Sequence, residues 1–210
     1  MDKNQTAVSV FNKRASTYQE KYMDLDLYNR SYDLFCEHLS KPDANILELA
    51  CGPGNITRYL LQKGPKFKIL GTDLAPNMIE LAVRNNPAAE FLLMDCRDIN
   101  KLNQQYDGVV CGFVLPYLTK EETLQLISNA AAILNAHGLL YISTMEDDYE
   151  KSGLVKNSLG DEVFMHYYPA DFLLTALKDN GFVLVDMQQI NFPKDDGSVT
   201  TDLVILAKKR

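Results

Sequence analysis

The sequence predicts an α/β fold: a doubly wound, mainly parallel sheet of seven strands with a helical N-terminal cap. From residue 45 onward, short apolar runs alternate with segments of helical period. Such alternation requires right-handed crossovers between parallel strands. Glycine or proline closes most of the helical segments. The last two strand-like runs follow one another directly, so the final strand is antiparallel.

The elements follow in order. Asn45–Ala50 is a short apolar run suited to a strand buried on both faces. Asn55–Lys63 reads as a helix closed by Gly64 and Pro65. Phe67–Thr72 is the second strand. Ala75–Arg84 is a helix with Met78, Ile79, Ala82 and Val83 on one face. Glu90–Met94 and Tyr106–Phe113 are the third and fourth strands. Lys120–Leu134 is a helix with Thr119 as its cap, Glu122 completing a capping box, and an apolar stripe at Leu124, Ile127, Ala131 and Leu134. Gly138 is expected to end it. Leu139–Thr144 is the fifth strand and Asp171–Asn180 the last helix, stopped by Gly181. Phe182–Ile190 and Thr201–Lys208 are the late pair, joined by a K-D-D-G-S turn. The whole chain, 1–210, is read as one domain. Two segments stand outside the alternation: Met1–Lys41, helical and rich in tyrosine, and Met145–Tyr168, read as irregular. Both are candidates for a lid.

Composition narrows the function. Hydrophobic residues make up 46% of the 210, which fits a packed domain. The net charge of −7 argues against a broad nucleic-acid surface. No apolar run approaches the roughly 20 residues of a membrane helix, and the start M-D-K-N-Q-T-A-V lacks an apolar signal core. A cytoplasmic protein, monomer or homodimer, is expected. Cys36, Cys51, Cys96 and Cys111 are scattered, as are His38, His137 and His166, so reduced thiols and no metal are expected.

The chemistry lies where strands end. I-L-E-L-A-C-G-P-G-N, Ile46 to Asn55, places Glu48 at the end of the first strand and then Ala50, Gly52 and Gly54 in a loop. Glycine permits a tight turn and close approach to a ligand, and the helix that follows offers N–H groups to an anion. An acid beside such a loop suits a ligand carrying both an amine and a carboxylate. G-T-D places Asp73 at the end of the second strand, 21 residues after Gly52, where an acid grips a ribose diol. M-D-C places Asp95 and Cys96 at the same sheet edge. Taken singly, Asp73 is equally a cap for the helix at Ala75.

These residues resemble class I S-adenosylmethionine-dependent methyltransferases of the small-molecule type. E-L-A-C-G-P-G-N is similar to that family's first motif, with alanine at position 50 where glycine is frequent. G-T-D-L-A-P-N-M-I, M-D-C-R-D-I and Y-D-G-V-V-C-G-F-V-L-P-Y-L resemble the next three motifs in order. The resemblance spans Phe11 to Lys208 and implies the strand order 3-2-1-4-5-7-6. It also implies S-adenosyl-L-methionine as cofactor and a small-molecule methyl acceptor, with neither nucleic acid nor membrane as partner. Glu48, Ala50, Gly52 and Gly54 would form the loop for the methionine end. Asp73 would take the ribose hydroxyls, Leu74 and Met78 the adenine faces, Asp95 the adenine amine, and the Cys96 backbone N–H a ring nitrogen. Phe113 would line the sulfonium region, with Tyr18 in the closing segment and Arg14 as a partner for the cofactor carboxylate. His166 is the best candidate general base by ordinary pKa, but a surface or packing role is the better reading and no catalytic residue is assigned. Tyr117, Tyr167 and Tyr168 are acceptor-pocket candidates.

Two other enzyme classes and a binding module remain open. A nicotinamide-dependent oxidoreductase would carry G-x-G-x-x-G, but Thr57 stands where the third glycine belongs. A DNA amino-methyltransferase would need a polar residue at Leu115 of L-P-Y. A non-catalytic nucleoside-binding regulator would keep the pocket without turnover.

Overall fold

Strand β1 (Asn45–Leu49) is buried on both faces and sets the frame of the sheet. Its side chains alternate between two cores. Leu47 and Leu49 join Val109 and Cys111 on one side, while Ile46 joins Ile69, Val110 and Tyr141 on the other. Glu48 shares the face of Ile46 and is 1% exposed, an acid inside an apolar layer. The computed structural model describes residues 3–156, 160–193 and 197–210.

β1 pairs in parallel with β2 (Lys68–Asp73) and with β4 (Tyr106–Gly112). Beyond β2 lies β3 (Glu90–Leu93), and beyond β4 lies β5 (Leu134–Glu146), both parallel. The last two strands of the chain, β8 (Phe182–Pro193) and β9 (Val199–Lys209), close the sheet, with β9 antiparallel to both β5 and β8. The order is β3-β2-β1-β4-β5-β9-β8. That is the expected 3-2-1-4-5-7-6 once a small separate hairpin is set aside. Helices α4 (Asn55–Lys63), α5 (Pro76–Asn85), α6 (Lys120–Ile133) and α7 (Ala170–Asp179) carry the crossovers. The N-terminal segment forms α1 (Lys3–Lys13), α2 (Ala15–Tyr22) and α3 (Asn29–His38).

The separate hairpin corrects one expectation. Within 145–168, β6 (Gly153–Lys156) pairs antiparallel with β7 (Glu162–Met165). Its period-2 alternation is visible in Val163 and Met165, both buried against α1. Two four-residue strands were too short to read from sequence.

α6 differs from expectation in its buried face. Leu126, Ile127, Ala130 and Ile133 are buried, while Leu124 is 41% exposed. The capping box at Thr119 and Glu122 is present. The helix ends at Ile133, not at Gly138, because Leu134 is already extended and pairs with Tyr106. Residues 194–196 of the K-D-D-G-S turn lie outside the described residues. Pairing on both sides runs from Phe182↔Lys209 to Pro193↔Val199. Among the described residues no helix is long and apolar enough to cross a membrane, and no cluster of three metal-ligating side chains occurs.

Candidate active site

The carboxyl ends of β1, β2, β3 and β4 meet around one cleft. After Leu49 the backbone turns sharply: Ala50, Gly52 and Gly54 have φ of 51°, 55° and 80°. Ala50 therefore holds a left-handed conformation that costs an L-residue about 1–2 kcal/mol. The Cys51 N–H donates to the Thr72 carbonyl at 2.8 Å, fastening the loop to β2.

Asp73 makes the second fastening. Its carboxylate accepts from the Gly52 N–H at 2.9 Å and from the Ala75 N–H at 2.8 Å. The cap reading and the site reading of Asp73 both hold, since one side chain supports α5 and also rims the cleft. Each carboxylate oxygen keeps a second acceptor site. Burial raises the Asp73 carboxyl above its ordinary range against these backbone hydrogen bonds.

Glu48 sits deeper. The Thr57 hydroxyl, from α4, donates to its Oε2. Its buried Oε1 has no hydrogen-bond partner among the described residues. Burial pushes the carboxyl from 4.5 up to about 8, with the Thr57 hydrogen bond opposing and Asp73 adding to the rise. Such a group gains most from a nearby cation or N–H donor.

At the end of β3, Asp95 is clasped by Arg97. The Arg97 backbone N–H donates to Oδ1 at 2.9 Å and its Nη2 to Oδ2 at 2.6 Å, while Nη1 reaches Glu122 at 2.8 Å. Burial raises the Asp95 carboxyl, but the Arg97 contacts outweigh it and leave it below the ordinary range. Sequence reasoning missed Arg97, although it lies two residues beyond the acid. Cys96 opens a 3-10 turn, so its N–H has no carbonyl to meet inside that turn. At the end of β4, Phe113 has φ of 54°, held by its N–H donating to the Ser143 carbonyl at 3.0 Å.

Two adjoining cavities result. The first, about 790 Å³ with its open mouth included, is lined by Asp73, Leu74, Met78, Asp95 and Cys96. The second, about 850 Å³ on the same measure, is lined by Glu48, Tyr28, Tyr32, Met145, Phe192 and Asp202. Tyr18, Ala50, Gly52, Gly112, Phe113 and Tyr117 line both and form the passage between them. Ala7, Val8 and Phe11 of α1 roof the first cavity.

Several expectations need correction. Gly54 lines neither cavity. A Cβ there would stand 2.3 Å from Asn86 Nδ2 and 3.4 Å from Ala82, so glycine serves the packing of α4 on α5. Arg14 is engaged by Asp161, its Nε donating at 2.8 Å, and lines neither cavity. His166 is 6% exposed and packs between Tyr149 and Phe164. Tyr168 is a core residue whose hydroxyl donates to the Leu118 carbonyl at 2.5 Å. Tyr117 alone of the three tyrosines reaches the cavities. Asp202 and Tyr28 were not anticipated. The signal was an aspartate inside the apolar strand T-T-D-L-V-I-L-A.

This strand order with this loop between β1 and α4 matches known proteins. A family profile described as a methyltransferase domain matches residues 46–138. Malonyl-[acyl-carrier protein] O-methyltransferase of Anoxybacillus flavithermus is 30% identical over 139 residues, 65% of this chain and 51% of that protein. Trans-aconitate 2-methyltransferase of Escherichia coli is 32% identical over 104 residues, 50% of this chain and 40% of that protein. The chain spans about half or less of the length of such curated relatives. Magnesium protoporphyrin IX methyltransferase of Synechocystis, solved with bound S-adenosylhomocysteine, shares the fold with a TM-score of 0.75 at 17% identity, over 100% of both chains. The matched segment carries Glu48, the glycine loop, Asp73, Asp95 and Phe113.

Proposed function

We propose that the protein transfers the methyl group of S-adenosyl-L-methionine to a small-molecule acceptor, with the cofactor lying from the first cavity into the passage. The observation that carries this reading is the row of Asp95, Asp73 and the unsatisfied Glu48 Oε1 along connected cavities. The donor set fits the cofactor chemically. Asp73 keeps acceptor sites for two ribose hydroxyls, and Glu48 offers a buried acceptor to an ammonium group. Leu74 and Met78 give apolar area for adenine, with Asp95 and the Cys96 N–H at its edge. Ala50 and Gly52 supply close backbone, and Phe113 and Tyr18 wall the reacting end. Scattered free thiols at Cys36, Cys51, Cys96 and Cys111 agree with work in the cytoplasm.

When bound, the cofactor supplies an electrophilic methyl group on a sulfonium centre. The chain supplies position and a dry site. The Cys51 and Phe113 N–H groups, bonded to the Thr72 and Ser143 carbonyls, hold both walls of the passage in place against the strain at Ala50 and Phe113. Calorimetry with S-adenosylmethionine, S-adenosylhomocysteine and NAD tests the reading. Tight NAD binding without either sulfur ligand would overturn it.

The reading gives Glu48 a pH signature. Its proton is held more tightly in the folded protein than in the unfolded chain. The associated stability is full below pH 4.5 and is lost as pH rises to about 8. Against Glu48→Gln, the ligand-free parent is expected to lose melting temperature progressively across that window. S-adenosylhomocysteine, whose ammonium group favours the ionised form, should flatten the difference. Parallel melting curves for parent and variant from pH 5 to 8 would remove this role.

We also assign α1, α2, β6 and β7 to a common lid. Ala7, Val10 and Phe11 pack on Val163 and Met165, and Phe11 meets Tyr117 edge-on at 5.1 Å. Hydrogen exchange with S-adenosylhomocysteine should slow over Phe11–Tyr22 and near His166. Protection confined to the loops after Ala50, Thr72 and Met94 would exclude a lid.

A further inference from the structure

The second cavity has an unusual charge balance for a site open to an acceptor. Asp202, on β9, is 2% exposed and lines it, and the Tyr28 hydroxyl donates to its Oδ2 at 2.5 Å. Glu48 lines the same cavity with its unpartnered Oε1. Rings make up much of the rest, from Tyr18, Tyr22, Tyr32, Tyr117, Phe113 and Phe192. Leu25, Ile56 and Met145 add aliphatic area and Asn55 an amide. Among the described residues that line it, none is Lys, Arg or His.

We propose that this cavity is the acceptor site and that it takes an amine carried on an aromatic or apolar body, with the Asp202 carboxylate accepting its N–H. The inference rests on the reading that the cofactor occupies the first cavity. A carboxylate acceptor would have to enter a buried space beside the Asp202 carboxylate, with no Lys, Arg or His among the described lining residues, which is costly. An amine meets a hydrogen-bond acceptor, and ring faces attract positive charge. The step is balanced without a further reagent. The unprotonated amine nitrogen uses its lone pair to form the N–C bond as the C–S bond breaks, and that bond's electron pair stays on sulfur. The nitrogen gains the positive charge that sulfur loses, and the product leaves as an ammonium ion. Asp202 and the ring faces stabilise the charge as it forms on nitrogen. The relatives named for malonyl-[acyl-carrier protein] and trans-aconitate concern carboxylic acids, so this chain's acceptor chemistry departs from theirs.

The test uses two probes of matched size, 2-phenylethylamine and 3-phenylpropanoate, on the protein saturated with S-adenosylhomocysteine. Calorimetry is expected to give the amine at least about tenfold tighter binding, the scale of one charge-assisted hydrogen bond. Mass spectrometry should detect N-methylated amine when S-adenosylmethionine replaces the product. Asp202→Asn, which keeps an acceptor for Tyr28, should weaken amine binding about tenfold and leave S-adenosylhomocysteine affinity unchanged. The comparison of probes on the parent protein stands even where the variant fails to fold. If S-adenosylhomocysteine binds but the acid is preferred, neither probe binds, or a folded Asp202→Asn binds the amine normally, the amine inference falls and the methyltransferase reading stands. If S-adenosylhomocysteine itself does not bind, both fall.

Discussion

Gly54→Val is expected to unfold much of the protein under mild heating while doing little to the cavities. The residue has φ of 80°, which a β-branched side chain resists at a cost of about 1–3 kcal/mol. Its Cβ would lie 2.3 Å from Asn86 Nδ2. Asn86 is 3% exposed and donates to the Gly54 carbonyl at 2.9 Å, so it has no open direction in which to retreat. Overpacking adds about 1–3 kcal/mol, and losing that hydrogen bond adds about 1. A combined loss of about 4 kcal/mol should lower the melting temperature by roughly 8–16 °C for a chain of this size. Scanning calorimetry checks it. A variant that melts with the parent but binds S-adenosylhomocysteine poorly would return Gly54 to the ligand site.

Asp73→Ala should produce the largest loss of cofactor affinity. Two charge-assisted hydrogen bonds to hydroxyls, at about 1.5–3 kcal/mol each, are removed. The same change strips acceptors from the Gly52 and Ala75 N–H groups and loosens the loop that the ligand needs. We expect affinity for S-adenosylhomocysteine to fall by about a hundredfold or more, with a stability loss of about 1–2 kcal/mol for the two released donors. Asp73→Asn keeps one carbonyl acceptor and should fall between the two. Calorimetric titration and a thermal melt on the same samples separate the effects. Normal binding alongside lowered stability would leave Asp73 as a helix cap only.

These two residues also mark where sequence reasoning gave out. Both were singled out from spacing alone, at the ends of successive elements. Their reasons differ from each other in a way spacing does not carry. Asp73 serves helix and cleft at once because Gly52 and Ala75 come within reach of the same carboxylate. Gly54 serves packing because a Cβ there would come within 3.4 Å of Ala82 on α5. The Ala75 contact is local, but the Gly52 contact and the packing of Gly54 on α5 are not.

Local patterns alone determined a good deal about this protein. The apolar runs, the Thr119 capping box and the glycine stops other than Gly138 placed most main-sheet strands and crossover helices to within a few residues, because propensity and period act over neighbouring residues. The acids at the strand ends were legible for the same reason, since a parallel sheet brings all its strand ends to one edge. What only the tertiary structure decided depends on pairs far apart in the chain. Arg14 meets Asp161, and Tyr28 meets Asp202 across most of the sequence. The partnerless oxygen of Glu48 arises from layers on both sides of β1, which no single segment specifies. The chemistry of the acceptor cavity is set by such long-range meetings. A carboxyl reads alike in the sequence whether water or rings surround it, and its surroundings decide what it will hold.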